Sequence, residues 1–147
     1  MPRKELRYPA QVECWLQDWG ERLTEAGSLV LIGSGGLLWH AAQRGLETML
    51  PENSMDVDPV TTSQAVALLG YEAMMGSEFE KEHGWHVNLM PTAVLLEMKA
   101  GWENRASKKI YGRLEVVVPS VNDLLAPKLK RGEPRDILHA SWAKQLS

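Results

Sequence analysis

Cysteine, phenylalanine and long apolar runs are all scarce in this 147-residue chain, and the shortages exclude several classes of protein. Cys14 is the only cysteine, so neither an internal disulfide nor a zinc site built from cysteines can form. The best apolar stretch, residues 28–42, is broken by glycines and serines and is too short to cross a bilayer. The start of the chain is charged, with no apolar run of the signal-peptide type. We therefore expect a cytoplasmic protein with no membrane association.

An excess of basic residues is also lacking, since the formal net charge is -3. This balance argues against a surface coated in positive potential for sequence-independent binding to duplex nucleic acid. The last third of the chain nevertheless holds a basic cluster, which could guide a nucleotide or an RNA end or could simply be a solvated face. Its members are Lys108, Lys109, Arg113, Lys128, Lys130, Arg131 and Arg135.

Six tryptophans contrast with the single phenylalanine. Large aromatic side chains usually supply core area in small domains, or they anchor an interface with a partner. We favour the core. The alternative is a small structural subunit whose exposed tryptophans bind a partner protein or a second copy of the chain.

Apolar periodicity predicts helices interleaved with about four strands. The length and the 44% hydrophobic content fit one domain over residues 1–147, with an N-terminal helix in 1–27, a core of sheet and helices in 28–118 and C-terminal helices in 119–147. We expect an α/β (α+β) fold with a mixed sheet flanked by helices. The strands are predicted at 28–32, 55–60, 85–90 and 114–118, and the main helices at 9–26, 64–69, 92–99, 121–130 and 135–144.

Two aspartates one residue apart, Asp56 and Asp58, form the clearest candidate metal site. Alternation along an extended segment places both carboxylates on one face. Magnesium prefers oxygen ligands and often takes one or two carboxylates together with substrate phosphates. The motif is short, so the two residues could also be ordinary solvated loop carboxylates.

A glycine-rich turn, residues 33–36, links the first predicted strand to a helix. Backbone amides at such a helix start can approach a phosphate closely, although glycines here could equally serve a tight turn. The turn lacks the lysine of a Walker-type loop and the spacing of the dinucleotide fingerprint.

The order of these segments resembles the nucleotidyltransferase superfamily, in particular its small bacterial branch of abortive-infection toxin-type nucleotidyltransferases and uncharacterised relatives. The resemblance covers residues 28–142. It is carried by Leu29 to Leu37 as the strand, Gly-Ser turn and helix start, by Arg44, by Asp56-Val57-Asp58 as the Asp-X-Asp motif, by Val118 to Leu129 as a strand, helix start and lysine, and by Arg135-Asp136 as the basic-acidic pair that opens the last helix.

The resemblance implies transfer of a nucleotide from a nucleoside triphosphate, with magnesium as cofactor. The acceptor would be a hydroxyl, a phosphate or a tRNA end, and RNA, a partner protein and a toxin role are further implications. The implied catalytic residues are Asp56, Asp58, Lys128 and Asp136, with Asp56 and Asp58 as metal ligands, and the implied nucleotide-binding residues are Gly33, Ser34, Arg44 and Asn88. For Lys128 the alternative is a solvated surface lysine, and for Asp136 an acid that complements a helix dipole.

Asn88 stands where many active relatives carry a third acid. An asparagine can coordinate a metal through its carbonyl oxygen but cannot take a proton from a hydroxyl. The chain could therefore be a catalytically impaired domain that binds a nucleotide or a protein. Other groups that could supply the missing function are His83, His86, Glu97, Glu103 and Glu115.

Overall fold

The computed structural model of the chain describes residues 5–51 and 54–146. The chain start, on which the expectation about a signal peptide rests, lies largely outside these residues. The strands are β1 (Gly27–Ile32), β2 (Asp56–Val60), β3 (His86–Val87), β4 (Ser107–Tyr111) and β5 (Leu114–Val118). The α-helices are α1 (Pro9–Arg22), α2 (Gly33–Gln43), α3 (Gln64–Glu72), α4 (Glu78–His83), α5 (Trp102–Arg105), α6 (Val121–Arg131) and α7 (Pro134–Ala143), and 3₁₀ helices cover Thr92–Glu97 and Lys144–Leu146.

The strands form one mixed sheet in the order β3-β2-β1-β5-β4. Strand β1 runs parallel to β5 and antiparallel to β2, while β2 is parallel to β3 and β4 is antiparallel to β5. This confirms the expected α/β class with a mixed sheet. The assignment of residues 1–147 to a single domain stays a prediction.

The number of strands was predicted wrongly, because the sheet has five rather than about four. The extra strand, β4, is exposed along most of its length and carries two lysines, so its sequence lacks the apolar alternation that marks a half-buried strand. It forms by pairing with β5 across a tight turn at Gly112, whose φ of 58° lies in the left-handed region.

Three element boundaries also differ from the prediction. Helix α1 ends at Arg22 rather than near residue 26, because Leu23 turns to an extended conformation with ψ 133°. The segment predicted as a helix at 92–99 is the 3₁₀ helix Thr92–Glu97. Strand β3 is only two residues long, although the amides of Asn88 and Met90 still donate to β2 carbonyls and extend the pairing.

The tryptophans pack in the hydrophobic core. Five of the six are buried, and Trp142 is half-buried against the same core. The hypothesis of exposed tryptophan anchors is therefore wrong. Helix α2 packs on β1, β2, α1 and α6, and α6 packs on α7, so the C-terminal helices reach the glycine turn at the start of α2.

Within the part of the chain that the structure describes, no helix combines the length and apolar character needed to span a bilayer.

Candidate active site

The pairing of β1 with β2 brings the glycine turn and the aspartate pair together. Ile32, the last residue of β1, lies opposite Asp58 in the antiparallel register, and Gly33 follows it at once. Val57 is fully buried, whereas Asp56 and Asp58 are both partly exposed, as strand alternation predicts. The two carboxylates therefore share one face of β2, at the start of α2.

Gly33 is required at this turn for two reasons. Its φ of 70° lies in the left-handed region, and a Cβ built on it would lie 2.8 Å from Asp58 Oδ2. The absent side chain lets the carboxylate approach the start of α2. Ile32, the N-cap residue of this helix, offers no side-chain oxygen to the first amides, so those amides suit an anionic ligand.

The environment of Asp58 disfavours its charged form. Burial, and then the negative charge of Asp56, raise the pKa of Asp58 to about 6, against the opposing effects of Asn88, Lys128 and His86. A cation bound by the two carboxylates would stabilise the charged form of Asp58 against both its burial and the negative charge of Asp56. The hard-oxygen donors and this stored repulsion fit a magnesium ion.

Strand β3 adds polar groups beside the pair. The parallel register sets His86 opposite Asp56, and Asn88 Nδ2 donates to Asp58 Oδ1 at 3.2 Å. His86 Nε2 lies 3.9 Å from Asp56 Oδ2, and its Nδ1 lies 2.8 Å from Glu80 Oε2. Asn88 thus stands next to Asp58, as the resemblance implies.

Of His83 and the three candidate acids, only one acid lies at the same cleft as the aspartate pair. His83 stacks on Phe79 at 4.1 Å in α4, away from the pair. Glu97 lines the same cleft as the aspartates, whereas Glu103 and Glu115 do not. Among residues 5–51 and 54–146, no three His, Cys, Asp or Glu side chains gather into a metal-binding group. The remaining ligands of a bound ion would come from a substrate and from water.

Lys128 closes the site from α6. It is only 5% exposed, so the alternative of a solvated surface lysine is wrong. Its Nζ donates to Ser34 Oγ at 3.1 Å and lies 3.2 Å from His139 Nδ1. Burial lowers the pKa of Lys128, while the charge of Asp136 opposes that change. The ammonium is therefore held at the first turn of α2.

Asp136 stands behind Lys128 rather than in the cleft. It is 1% exposed, and its Oδ1 lies 3.9 Å from Lys128 Nζ. Arg131 donates to it twice, at 3.0 and 2.7 Å, and this hydrogen bonding holds the pKa of Asp136 below its usual range. Asp136, which the resemblance implies as a catalytic residue, is therefore not among the residues that line the cleft.

The resulting cleft has a volume of about 370 Å³, within the usual size for a small-ligand site. Three methionines, Met55, Met90 and Met98, contribute to an apolar wall. Arg131 and Arg135 contribute positive charge. A groove of about 710 Å³ lies elsewhere, between α1, α3 and α4. It is lined by the candidate His83 but by none of the catalytic, metal-binding or nucleotide-binding residues that the resemblance implies.

Arg44 and part of the basic cluster are not brought to the cleft. Arg44 lies at the C-terminal end of α2, where it donates to the carbonyl of His40 at 3.0 Å. Lys109 pairs with Glu13 at 3.5 Å, and Arg113 donates to the carbonyls of Leu23 and Thr24. The expected single basic cluster is therefore split, with only Lys128, Arg131 and Arg135 lining the cleft.

His139 was missed from the sequence. It is 1% exposed and contacts both Ser34 and Lys128. The available signal was spacing, because Asp136, His139 and Ala143 recur at helical intervals and form one face of α7.

A strand that runs into a glycine turn and helix, an Asp-X-Asp pair on the adjacent antiparallel strand and a buried lysine from a later helix together define a nucleotidyltransferase-type fold and site. Residues 16–142 match the family described as "Nucleotidyltransferase of unknown function (DUF6036)", and the chain belongs to that family. No curated protein and no solved structure matches the chain. The abortive-infection branch remains an implication of the sequence resemblance.

Proposed function

We propose that the chain binds a nucleoside triphosphate with magnesium in this cleft and transfers its nucleotide to an acceptor. One observation carries the proposal: the Asp56 and Asp58 carboxylates, the first turn of α2 and the Lys128 ammonium all line one cavity of about 370 Å³. Such a combination would offer carboxylate ligands to a metal ion, and N–H and ammonium donors to the phosphates of a nucleotide.

Each wall of the cleft has a role in this proposal. Asp56 and Asp58 would hold the magnesium ion, which when bound neutralises charge on the transferring phosphates. The amides after Gly33, the Ser34 hydroxyl and the Lys128 ammonium would hold the phosphate oxygens. The methionine wall offers a polarisable apolar surface to the flat face of a base.

Arg135 is positioned to attract an anionic substrate to the cleft. It lines the cleft from the first turn of α7 and is exposed. Among the described residues it has no ion-pair partner, unlike Arg131, which is held by Asp136. An RNA end or another phosphate-bearing acceptor would be attracted to this cation.

A second candidate function is nucleotide binding without transfer. The observation that favours it is Asn88, whose amide lies beside Asp58 and can neither take a proton nor add negative charge to the metal site. Glu97 is the cleft acid that could accept the acceptor's proton instead. Glu97→Gln therefore bears directly on the choice between the two functions.

The first experiment is calorimetric titration of the protein with each nucleoside triphosphate, in magnesium and in EDTA. Asp56→Asn and Asp58→Asn are expected to weaken magnesium-dependent binding by about tenfold or more, equivalent to ~1.4 kcal/mol. Asp18→Asn is the matched control, because Asp18 is an exposed aspartate of α1 paired with Arg22, outside the cleft.

The second experiment incubates the protein with labelled nucleoside triphosphate, magnesium and either RNA or protein acceptors. Label transfer that both aspartate variants abolish supports the enzyme. Binding without transfer to any acceptor supports the nucleotide-binding module. An absence of magnesium-dependent nucleotide binding in the wild-type protein contradicts both functions.

A further inference from the structure

Three polar atoms meet in a buried triangle at the start of α2. Lys128 Nζ lies 3.1 Å from Ser34 Oγ and 3.2 Å from His139 Nδ1, and Ser34 Oγ lies 3.3 Å from the same nitrogen. All three residues are buried, with His139 only 1% exposed. The atoms come from α2, α6 and α7, so the contact ties three separate helices together at the cleft.

The far side of the imidazole fixes its protonation. His139 Nε2 lies 2.9 Å from the carbonyl oxygen of Pro51, which can only accept a hydrogen bond. Nε2 therefore carries the hydrogen, and in the neutral ring Nδ1 must be an acceptor. A doubly protonated ring would point an N–H at the Lys128 ammonium, which has only donors to offer.

An acceptor at Nδ1 organises the other two groups. The single lone pair of Nδ1 accepts from Lys128, and the Ser34 hydroxyl oxygen also accepts from Lys128. The hydroxyl hydrogen of Ser34 is then available to a phosphate oxygen. Two of the three ammonium N–H donors of Lys128 are then engaged by Ser34 and His139. Among the described residues, its nearest carboxylate oxygen is on Asp136, at 3.9 Å and beyond hydrogen-bond distance. One N–H of the ammonium thus remains for a ligand in the cleft that Lys128 lines.

We infer that His139 is a positioning residue, whose Nδ1 orients the Lys128 ammonium and the Ser34 hydroxyl toward the triphosphate. The inference rests on the proposed function, because it assigns the triphosphate as the ligand that Lys128 meets. His139 itself acts through Lys128 and Ser34 and does not line the cleft.

Two isosteric variants separate the two nitrogens of His139. Asparagine carries an amide oxygen at the place of Nδ1, and glutamine carries an amide nitrogen at the place of Nε2. His139→Asn keeps the acceptor for Lys128 and loses the bond to Pro51, whereas His139→Gln does the reverse. We expect magnesium-dependent triphosphate binding to weaken by about tenfold in the glutamine variant, as for a lost hydrogen bond to a charged group, and to change much less in the asparagine variant.

A double-mutant cycle tests whether the effect passes through Lys128. In a Lys128→Met background, His139→Gln should add little further loss of triphosphate affinity. Equal losses in both His139 variants, or a fully additive loss in the double variant, would show a merely structural role and overturn the inference. If the wild-type protein binds no triphosphate, the proposed function fails. If the wild type binds and His139→Gln binds equally well, only the present inference fails.

Nitrogen NMR of the wild-type imidazoles provides a test that needs neither a variant nor a ligand. The His139 ring is expected as the neutral Nε2–H tautomer at pH 7. An Nδ1–H tautomer or a doubly protonated ring would overturn the inference even if the variants failed to fold.

Discussion

Replacing Asp58 with asparagine should change the stability of the protein in opposite directions with and without magnesium. Without the ion, Asp58→Asn removes a partly buried negative charge that faces Asp56, while its amide oxygen can still accept the hydrogen bond from Asn88. The variant should therefore be more stable than the wild type at neutral pH. Magnesium should stabilise the variant much less than the wild type, because one of the two proposed ligands has lost its charge. With magnesium present, the variant should therefore be the less stable protein.

The magnitude follows from the pKa of Asp58, which rises from an ordinary 3.8 to about 6 in the folded state. Because the folded state binds the proton more tightly, stability falls as the pH rises between these two values, and the penalty is complete above about pH 6. At ~1.4 kcal/mol per pKa unit the upper limit is ~3 kcal/mol. Since Asp58 is partly exposed, solvent screening reduces this to ~1–2 kcal/mol, or roughly 3–8 °C in Tm for a chain of this length.

Scanning calorimetry in EDTA across the range from about pH 4.5 to 8 measures this difference. The stability gain of Asp58→Asn should be full above about pH 6 and shrink as the pH falls toward 4. Asp18→Asn should show no comparable gain. The reasoning is refuted if Asp58→Asn is less stable than the wild type at neutral pH in EDTA, or if magnesium stabilises both proteins equally.

Three further variants test other parts of the site. Gly33→Ala should destabilise the protein and abolish the magnesium response, because the added Cβ would lie 2.8 Å from a carboxylate oxygen of Asp58. Gly45 is the control, since it has a similar φ but no atom within 4 Å of an added Cβ. Gly45→Ala should therefore lower the free energy of unfolding in urea by the backbone cost alone, ~1 kcal/mol. Asn88→Asp should tighten magnesium binding and lower stability in EDTA by adding a third charge; unchanged magnesium affinity by calorimetry would contradict this. Asp136→Asn and Asp123→Asn each weaken a bidentate pair between a buried carboxylate and a half-exposed arginine, and each should lower the free energy of unfolding in urea. Only Asp136→Asn should also weaken nucleotide binding.

The sequence predicts the individual parts of the site because their signals are local. Glycines after an apolar strand indicate a turn at a helix start, and Asp56-Val57-Asp58 indicates two carboxylates on one strand face. The register that sets Ile32 against Asp58 depends on long-range pairing and could not be read from either segment alone. Their proximity became an expectation only through the family resemblance.

Helix α7 shows why His139 escaped prediction. Its buried face carries Asp136 and His139, while Ile137 and Leu138 are 57% and 44% exposed. This inverts the amphipathic pattern by which apolar residues mark the core side of a helix. A polar stripe on a helix is ordinarily assigned to solvent, and here it packs against Lys128, behind the candidate site.

Edge strand β4 was missed for a related reason. It carries exposed lysines and pairs with a single neighbour, β5. Charged side chains on an edge strand discourage pairing with other chains. They also interrupt the alternation of apolar and polar residues by which a strand is recognised in a sequence.

The most direct test of the central claim uses manganese as a paramagnetic substitute for magnesium, since both ions prefer oxygen ligands in octahedral geometry. With a nucleoside triphosphate present, manganese should broaden the backbone amide signals of Ser34 and the side-chain amide signals of Asn88 before any others. The signals of Gly112, on the turn between β4 and β5 beyond the end of β1 that is opposite to Ile32, should stay sharp. Broadening centred on the α1, α3 and α4 groove, or no selective broadening at all, would contradict a metal and nucleotide site at Asp56 and Asp58.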